Sequence, residues 1–156
     1  MAFMIRVFNS VPIAAINPRD ILAAITESNY YTLCGQYGLD PALIAPAMVR
    51  LGVLAAPEGD APFFTVVYRP DGERPLVVSF QDWDPAVSAT EDLLPPKSIQ
   101  GAFVRTAQLV SVEVEEDQLR DLGLLLAYEL ARWAAVQGHG IIRALDGRWY
   151  RLNAHK

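Results

Sequence analysis

The sequence is poor in the residue types from which most catalytic and metal sites are built. Its 156 residues include one cysteine and two histidines. Cys34 has no partner for an internal disulfide, and with His139 and His155 it falls short of the usual four-ligand set of a structural zinc site. The chain also lacks the nucleophile-elbow, Walker, dinucleotide-binding and zinc-protease motifs. We therefore predict a protein with no enzymatic activity, no cofactor and no metal.

The sequence also lacks runs of positive charge and long apolar runs. Its 13 Lys and Arg residues are scattered among 18 Asp and Glu residues, and the net charge is −5. Nucleic-acid-binding proteins instead concentrate basic residues on one face. The most apolar stretch, residues 122–136, contains Glu129 and Arg132 and is too short to span a bilayer. With no signal-peptide pattern at the N-terminus, we expect a cytoplasmic protein that binds neither nucleic acid nor membrane.

What the sequence does contain is the pattern of a single α+β domain over residues 1–156, a length typical of one domain. Asn17 and Pro18 predict a helix start, because Asn is a good cap and Pro suits the first turn. Two strand pairs are joined by turns of the Asp-Gly type at 71–72 and 146–147, which favours hairpins. We predict strands at 3–8, 63–68, 75–80, 108–115, 141–145 and 148–152, and helices at 18–28, 30–37, 43–51 and 117–137.

This pattern gives the element order β-α-α-β-β-β-α-β-β. The three helical pieces between the first two strands are counted there as two helices. Neighbouring strands joined by hairpins favour a mostly antiparallel or mixed sheet with helices packed on one face. Residues 81–98 are rich in Asp, Pro and Ser, so we predict a long loop there. Residues 153–156 are expected to form a flexible tail.

The predicted loop contains the strongest candidate for a partner-binding site. Trp offers a large contact area, and acidic side chains pair with a basic partner. The alternatives are that the Trp folds back onto the core, or that the acids hold a hard cation. The predicted partner-binding residues are Asp82, Trp83, Asp84, Glu91 and Asp92.

The last third of the chain resembles small bacterial immunity proteins of polymorphic toxin systems. The resemblance rests on an amphipathic helix (residues 125–136), a glycine break (Gly138-His139-Gly140) and a short hairpin with an aromatic pair (residues 141–152). It covers about a quarter of the chain, and no residue signature of the family can be transferred position by position. It implies a non-enzymatic inhibitor that binds a cognate toxin.

We therefore expect a protein-binding module, an immunity protein that neutralises a basic toxin being the sharpest form of the hypothesis. One alternative is a homodimer or structural oligomer, because residues 117–137 are apolar on more than one helix face. Another is a small-molecule pocket among Tyr30, Tyr31, Tyr37, Cys34 and Trp133, for which core packing is the simpler explanation. A Cys34–His139 nucleophile pair is a further alternative to a buried structural thiol.

Overall fold

The computed structural model describes residues 2–14, 16–27, 30–40, 42, 44–56, 62–70, 73–83 and 95–152. Seven strands in these ranges form one antiparallel sheet with the spatial order β2-β3-β4-β5-β1-β6-β7. The strands are β1 (Ala2–Asn9), β2 (Gly52–Ala56), β3 (Phe63–Val67), β4 (Leu76–Asp82), β5 (Gln108–Glu115), β6 (Gly140–Arg143) and β7 (Trp149–Arg151). The helices are α1 (Pro18–Thr26), α2 (Tyr30–Tyr37), α3 (Ile44–Arg50), α4 (Lys97–Phe103) and α5 (Leu122–Gly138).

The predicted α+β class and the predicted single domain with an antiparallel sheet are confirmed. The Asn17 side chain caps α1 by accepting a hydrogen bond from the Arg19 N–H at 3.0 Å. The 63–68/75–80 and 141–145/148–152 strand pairs are present as the hairpins β3–β4 and β6–β7. Among the described residues, no helix is long and apolar enough to cross a membrane.

The long helix begins later than the sequence predicts. Residues Glu116–Arg120 form a 3₁₀ turn, and α5 starts at Leu122. The reason is local: the Asp121 carboxylate accepts a hydrogen bond from the Gly123 N–H at 2.8 Å, which makes Asp121 the N-cap. The helix then ends at Gly138, with His139 in the left-handed conformation at φ 52°.

Two elements are absent from the sequence prediction. β2 is a short edge strand that begins at Gly52, directly after the helix predicted at 43–51. α4 is a short helix that begins inside the predicted 81–98 loop, and β4 extends to Asp82 at the start of that loop. Both elements are short and lack a strong periodic pattern, because their positions depend on tertiary contacts rather than on local propensity.

The main core lies between one face of the sheet and α1, α2, α3 and α5. α5 crosses β1, β5 and β6, and its buried side of Leu and Ala residues packs onto alternate strand residues such as Val7 and Val112. This burial accounts for the wide apolar surface of the helix within the protein's own fold. Cys34 of α2 is fully buried in the same core.

A second, smaller cluster lies on the opposite face of the sheet. Phe8 points to this face because its neighbour Val7 points to the main core. Phe103 of α4 packs on Phe8 with ring centroids 5.2 Å apart, and Trp83 and Trp149 each lie 5.3 Å from the Phe8 ring. α4 therefore covers this face only at the end of the sheet where β1 and β4 finish.

An ion-pair network joins the β3–β4 hairpin to the start of α5. The Arg69 guanidinium donates to Asp121 Oδ2 at 2.7 Å and to Asp117 Oδ2 at 2.9 Å, and the Tyr68 hydroxyl donates to Asp121 Oδ1 at 2.8 Å. Burial and the hydrogen bond to Asp121 raise the pKa of Tyr68, and the hydrogen bond from Arg69 lowers the pKa of Asp117. Every polar group here has a partner, so we interpret the network as structural.

Candidate functional site at one end of the sheet

The unpartnered polar groups of the described residues gather at one end of the sheet. Asn9 Oδ1 and Nδ2, Trp83 Nε1 and Thr106 Oγ1 are buried without a hydrogen-bond partner. Asn9 ends β1, Trp83 follows β4 and Thr106 precedes β5; β1 and β4 run in the same direction because each is antiparallel to β5. A buried polar group without a partner costs about 1–3 kcal/mol. Buried groups of this kind are rare in folded proteins, so three residues that carry them at one end of the sheet call for an explanation.

Asn9 is enclosed by the turn that joins α5 to β6. A Cβ atom placed on either Gly138 or Gly140 would overlap the Asn9 side chain. Between these glycines, His139 lies in the left-handed region, and its carbonyl accepts a 3.4 Å hydrogen bond from Ser10 Oγ. The two glycines thus let the turn close over Asn9, and the turn holds His139 at the surface.

Next to this turn lies a pocket of 430 Å³, which we call the strand-end pocket. Its polar side chains are Ser10, Arg105, His139 and Arg151. Within the described part of the chain no acidic residue lines it, and no ion pair is formed by Arg105 or Arg151. The remaining walls are Ala102 of α4, Ala135 and Val136 of α5, Gly140, Ile141 and Leu152.

The residues predicted to bind a partner begin beside this end of the sheet. Asp82 is exposed at the last position of β4, in the cross-strand row that continues through Gln108 to Asn9. Trp83 is half-buried in the aromatic cluster, and its backbone N–H donates to the Ala107 carbonyl at 3.0 Å. Asp84, Glu91 and Asp92 lie outside the described residues. The partner-binding role of this set stays a prediction, and Trp83 offers only part of its ring to a partner.

The structure separates Cys34 from His139. Cys34 is buried in the main core, where burial raises the pKa of its thiol, and His139 is exposed at the strand-end pocket. No hydrogen bond joins the two side chains among the described contacts. A thiol in this environment is held protonated and shielded, so this arrangement does not make an activated nucleophile.

The predicted tyrosine pocket is also divided. Tyr37 lines a 370 Å³ depression with Tyr128, Ile142 and Tyr150, whereas Trp133 lines a different one beside α1 and packs on Phe64. Burial, together with Glu129 and Tyr128, raises the pKa of Tyr37 to about 12. The side chains of Tyr30 and Tyr31 lie outside the described set.

Beyond α4, the same face of the sheet carries no described helix, and we call this area the open face. In one cross-strand row lie Leu54, Thr65, Val77, Glu113 and Met4; in the next lie Phe63, Ser79, Ser111 and Arg6. Met4, Leu54 and Phe63 are exposed by 44%, 65% and 39%. Leu54 and Phe63 are neighbours on β2 and β3, whereas Met4 lies four strands from Leu54 at the other end of its row. Neighbouring exposed apolar side chains indicate a contact area, whereas single ones are ordinary.

No protein-family model matches the sequence, and no curated protein or solved structure matches it significantly. Within the described ranges, no group of three His, Cys, Asp or Glu side chains converges as a metal site.

Proposed function

We propose that this protein is a non-enzymatic protein-binding module whose open face contacts its partner. The observation that carries the proposal is the exposure of Met4, Leu54 and Phe63 on a sheet face that no described helix covers. Hydroxyl side chains lie in the same rows together with Glu113 and Arg6. Such a mixture of apolar, hydroxyl and charged groups is suited to a contact surface that also meets water.

The open face is smaller than the surface that a stable complex buries. Four strand spacings of about 4.8 Å and five residues of about 3.4 Å span roughly 300 Å² in projection. A stable complex buries about 800 Å² on each partner. The contact therefore extends beyond the open face to neighbouring parts of the chain.

Most of the chain's net negative charge comes from two segments that flank β3 and β4 in the sequence. Six of the 18 acidic residues but only one of the 13 basic residues fall outside the described residues, so the described part has no net charge. Five of those six acids occur in the segments that precede Phe63 and follow Trp83: Glu58, Asp60, Asp84, Glu91 and Asp92. This distribution favours a basic partner.

A toxin neutralised by this protein is the sharpest form of the proposal. It rests on the resemblance of residues 125–152 to immunity proteins, on the acidic segments and on the open face. The competing form is self-association through an edge strand of the sheet, β2 or β7, whose outer side pairs with no described strand. The apolar helix surface that first suggested an oligomer is buried in the core, so this form now depends on these two edges.

The test is a co-purification of tagged protein under gentle conditions, followed by reconstitution with the purified partner. Leu54→Ser should weaken binding about tenfold or more, since burying an apolar side chain of this size in an interface contributes about 1.5 kcal/mol or more. Val49→Ser is the matched control, because Val49 is 88% exposed on α3, on the other side of the sheet. Equal affinity of both variants would remove the open face from the account.

Three further outcomes separate the forms of the proposal. A basic partner should bind more weakly as salt rises, with the association rate changing most. A toxin should stop the growth of cells that produce it alone, and co-production of this protein should restore growth. A partner-free dimer that Leu54→Ser converts to monomer would favour self-association instead.

A further inference from the structure

We propose that the strand-end pocket binds a small organic anion, with its oxyanion group at Arg105 and Arg151 and its apolar body against α5 and β6. This site is separate from the open face, and the inference does not depend on the proposed protein partner.

The strand-end pocket contains two arginines and no described acidic residue. Arg105 and Arg151 contribute two positive charges, and neither forms an ion pair with a described residue. The C-termini of α4 and α5 lie at the pocket, and each opposes an anion with at most about half a negative charge. The described lining residues therefore give the pocket a net positive charge. The negative ends of the two helix dipoles are enough to explain why a cation lies at Arg105. They do not explain Arg151, which comes from β7.

The size and the lining of the pocket suit a small organic molecule. The pocket volume of 430 Å³ is in the range of small-molecule sites, about 300–1,000 Å³. The lining combines polar side chains, those of Ser10, His139 and the two arginines, with the apolar side chains of Val136, Ile141 and Leu152. A bare inorganic ion would leave the apolar lining in water. An anion carried on a small apolar or aromatic body would contact both kinds of lining.

The Asn9 side chain, which has no hydrogen-bond partner among the described residues, lies close to the pocket. Its amide lies directly beneath the Gly138-His139-Gly140 turn that forms one edge of the pocket. Buried polar groups without a partner are rare in folded proteins and call for an explanation. The Asn9 side chain packs against the backbone of the turn that presents His139 and Gly140 to the pocket.

The experiment is a ¹H–¹⁵N NMR titration of the whole chain with phenyl phosphate, benzoate, inorganic phosphate and the neutral benzyl alcohol. We expect phenyl phosphate and benzoate to shift the amide signals of Ser10, Gly140 and Ile141 saturably. Benzyl alcohol should bind at least tenfold more weakly than either, and so should inorganic phosphate relative to phenyl phosphate. The tighter of the two organic anions identifies the head group, and either order supports the proposal.

Matched variants complete the test. Arg105→Gln and Arg151→Gln should each weaken benzoate binding about tenfold, and neither should unfold the protein because both side chains are exposed. Arg148→Gln on the same hairpin is the control, since its side chain is 77% exposed and absent from the pocket lining. Equal binding of benzyl alcohol and benzoate, unchanged affinity in both arginine variants, or no saturable shift with any probe would each overturn the proposal.

Discussion

Replacement of Asn9 by alanine should leave the protein as stable as before or make it more stable, although Asn9 is fully buried. The substitution removes one buried amide group whose two polar atoms have no partners among the described residues, and such a group costs about 1–3 kcal/mol. It also leaves a void of about one water volume, ~30 Å³, which costs about 0.7 kcal/mol at ~24 cal/mol per Å³. The first term exceeds the second, so we expect a gain of up to about 2 kcal/mol.

The same geometry predicts that Asn9 and Gly138 are strongly coupled. Gly138→Ala should destabilise the protein by about 1–3 kcal/mol, because the new Cβ would overlap Asn9. In the Asn9→Ala background the overlaps with Asn9 Cγ and Nδ2 are absent and only the close approach to the Cβ at 2.7 Å remains, so Gly138→Ala should cost less there. The coupling free energy of the double-mutant cycle should therefore be about 1 kcal/mol or more.

Urea unfolding of the four proteins measures both quantities. Gly35→Ala is the control glycine, since a Cβ there meets nothing within 4 Å, and its effect should be the same with Asn9 and with Ala at position 9. A loss above about 2 kcal/mol for Asn9→Ala would show that the amide has partners. A coupling near zero would show that the turn does not enclose Asn9. Either result would refute the reasoning.

Other predictions test the core and the ion-pair network. Arg69→Gln should lower the free energy of unfolding by about 1–3 kcal/mol, and Arg74→Gln, whose exposed guanidinium is 3.5 Å from Asp117, by less than about 0.5 kcal/mol; urea unfolding compares them. Because the pKa of Asp117 is lowered on folding, its contribution to stability is present above its ordinary pKa of 3.8 and disappears as pH falls below it. Acid unfolding of Asp117→Asn should lack that part of the pH dependence. Cys34 should react with a thiol reagent only after unfolding, and a fast native reaction would contradict its burial. Tyr37 should ionise near pH 12, seen in tyrosinate absorbance, and since folding raises its pKa from 10, stability should fall between these values.

The sequence was sufficient for elements whose local signals agree with their tertiary contacts. Asn17 and Pro18 mark the start of α1 through capping chemistry that needs no distant partner. The strict alternation over residues 108–115 gives β5 its bounds and its inward-facing valines, because period two fits only a half-buried strand. The terminal hairpin follows from Asp146-Gly147, because Asp-Gly favours a tight turn without any distant contact.

The rest depends on contacts that no local pattern contains. β2 is a strand because it pairs with β3, and α4 is a helix that packs on Phe8. The strand-end pocket gathers Ser10, Arg105, His139 and Arg151 from four separate places in the chain, so spacing along the sequence could not reveal it. One signal was present: a histidine between two glycines after a long helix. Its meaning required Asn9, which is 129 positions away from Gly138.

Hydroxyl-radical footprinting of the protein with and without its purified partner tests the central claim most directly. The account predicts that the partner protects Met4, Leu54 and Phe63 from oxidation and leaves Val49 unchanged. Protection of Val49 with Met4, Leu54 and Phe63 still fully reactive would contradict the account, because the partner would then bind the helical side and the open face would have no part in the complex.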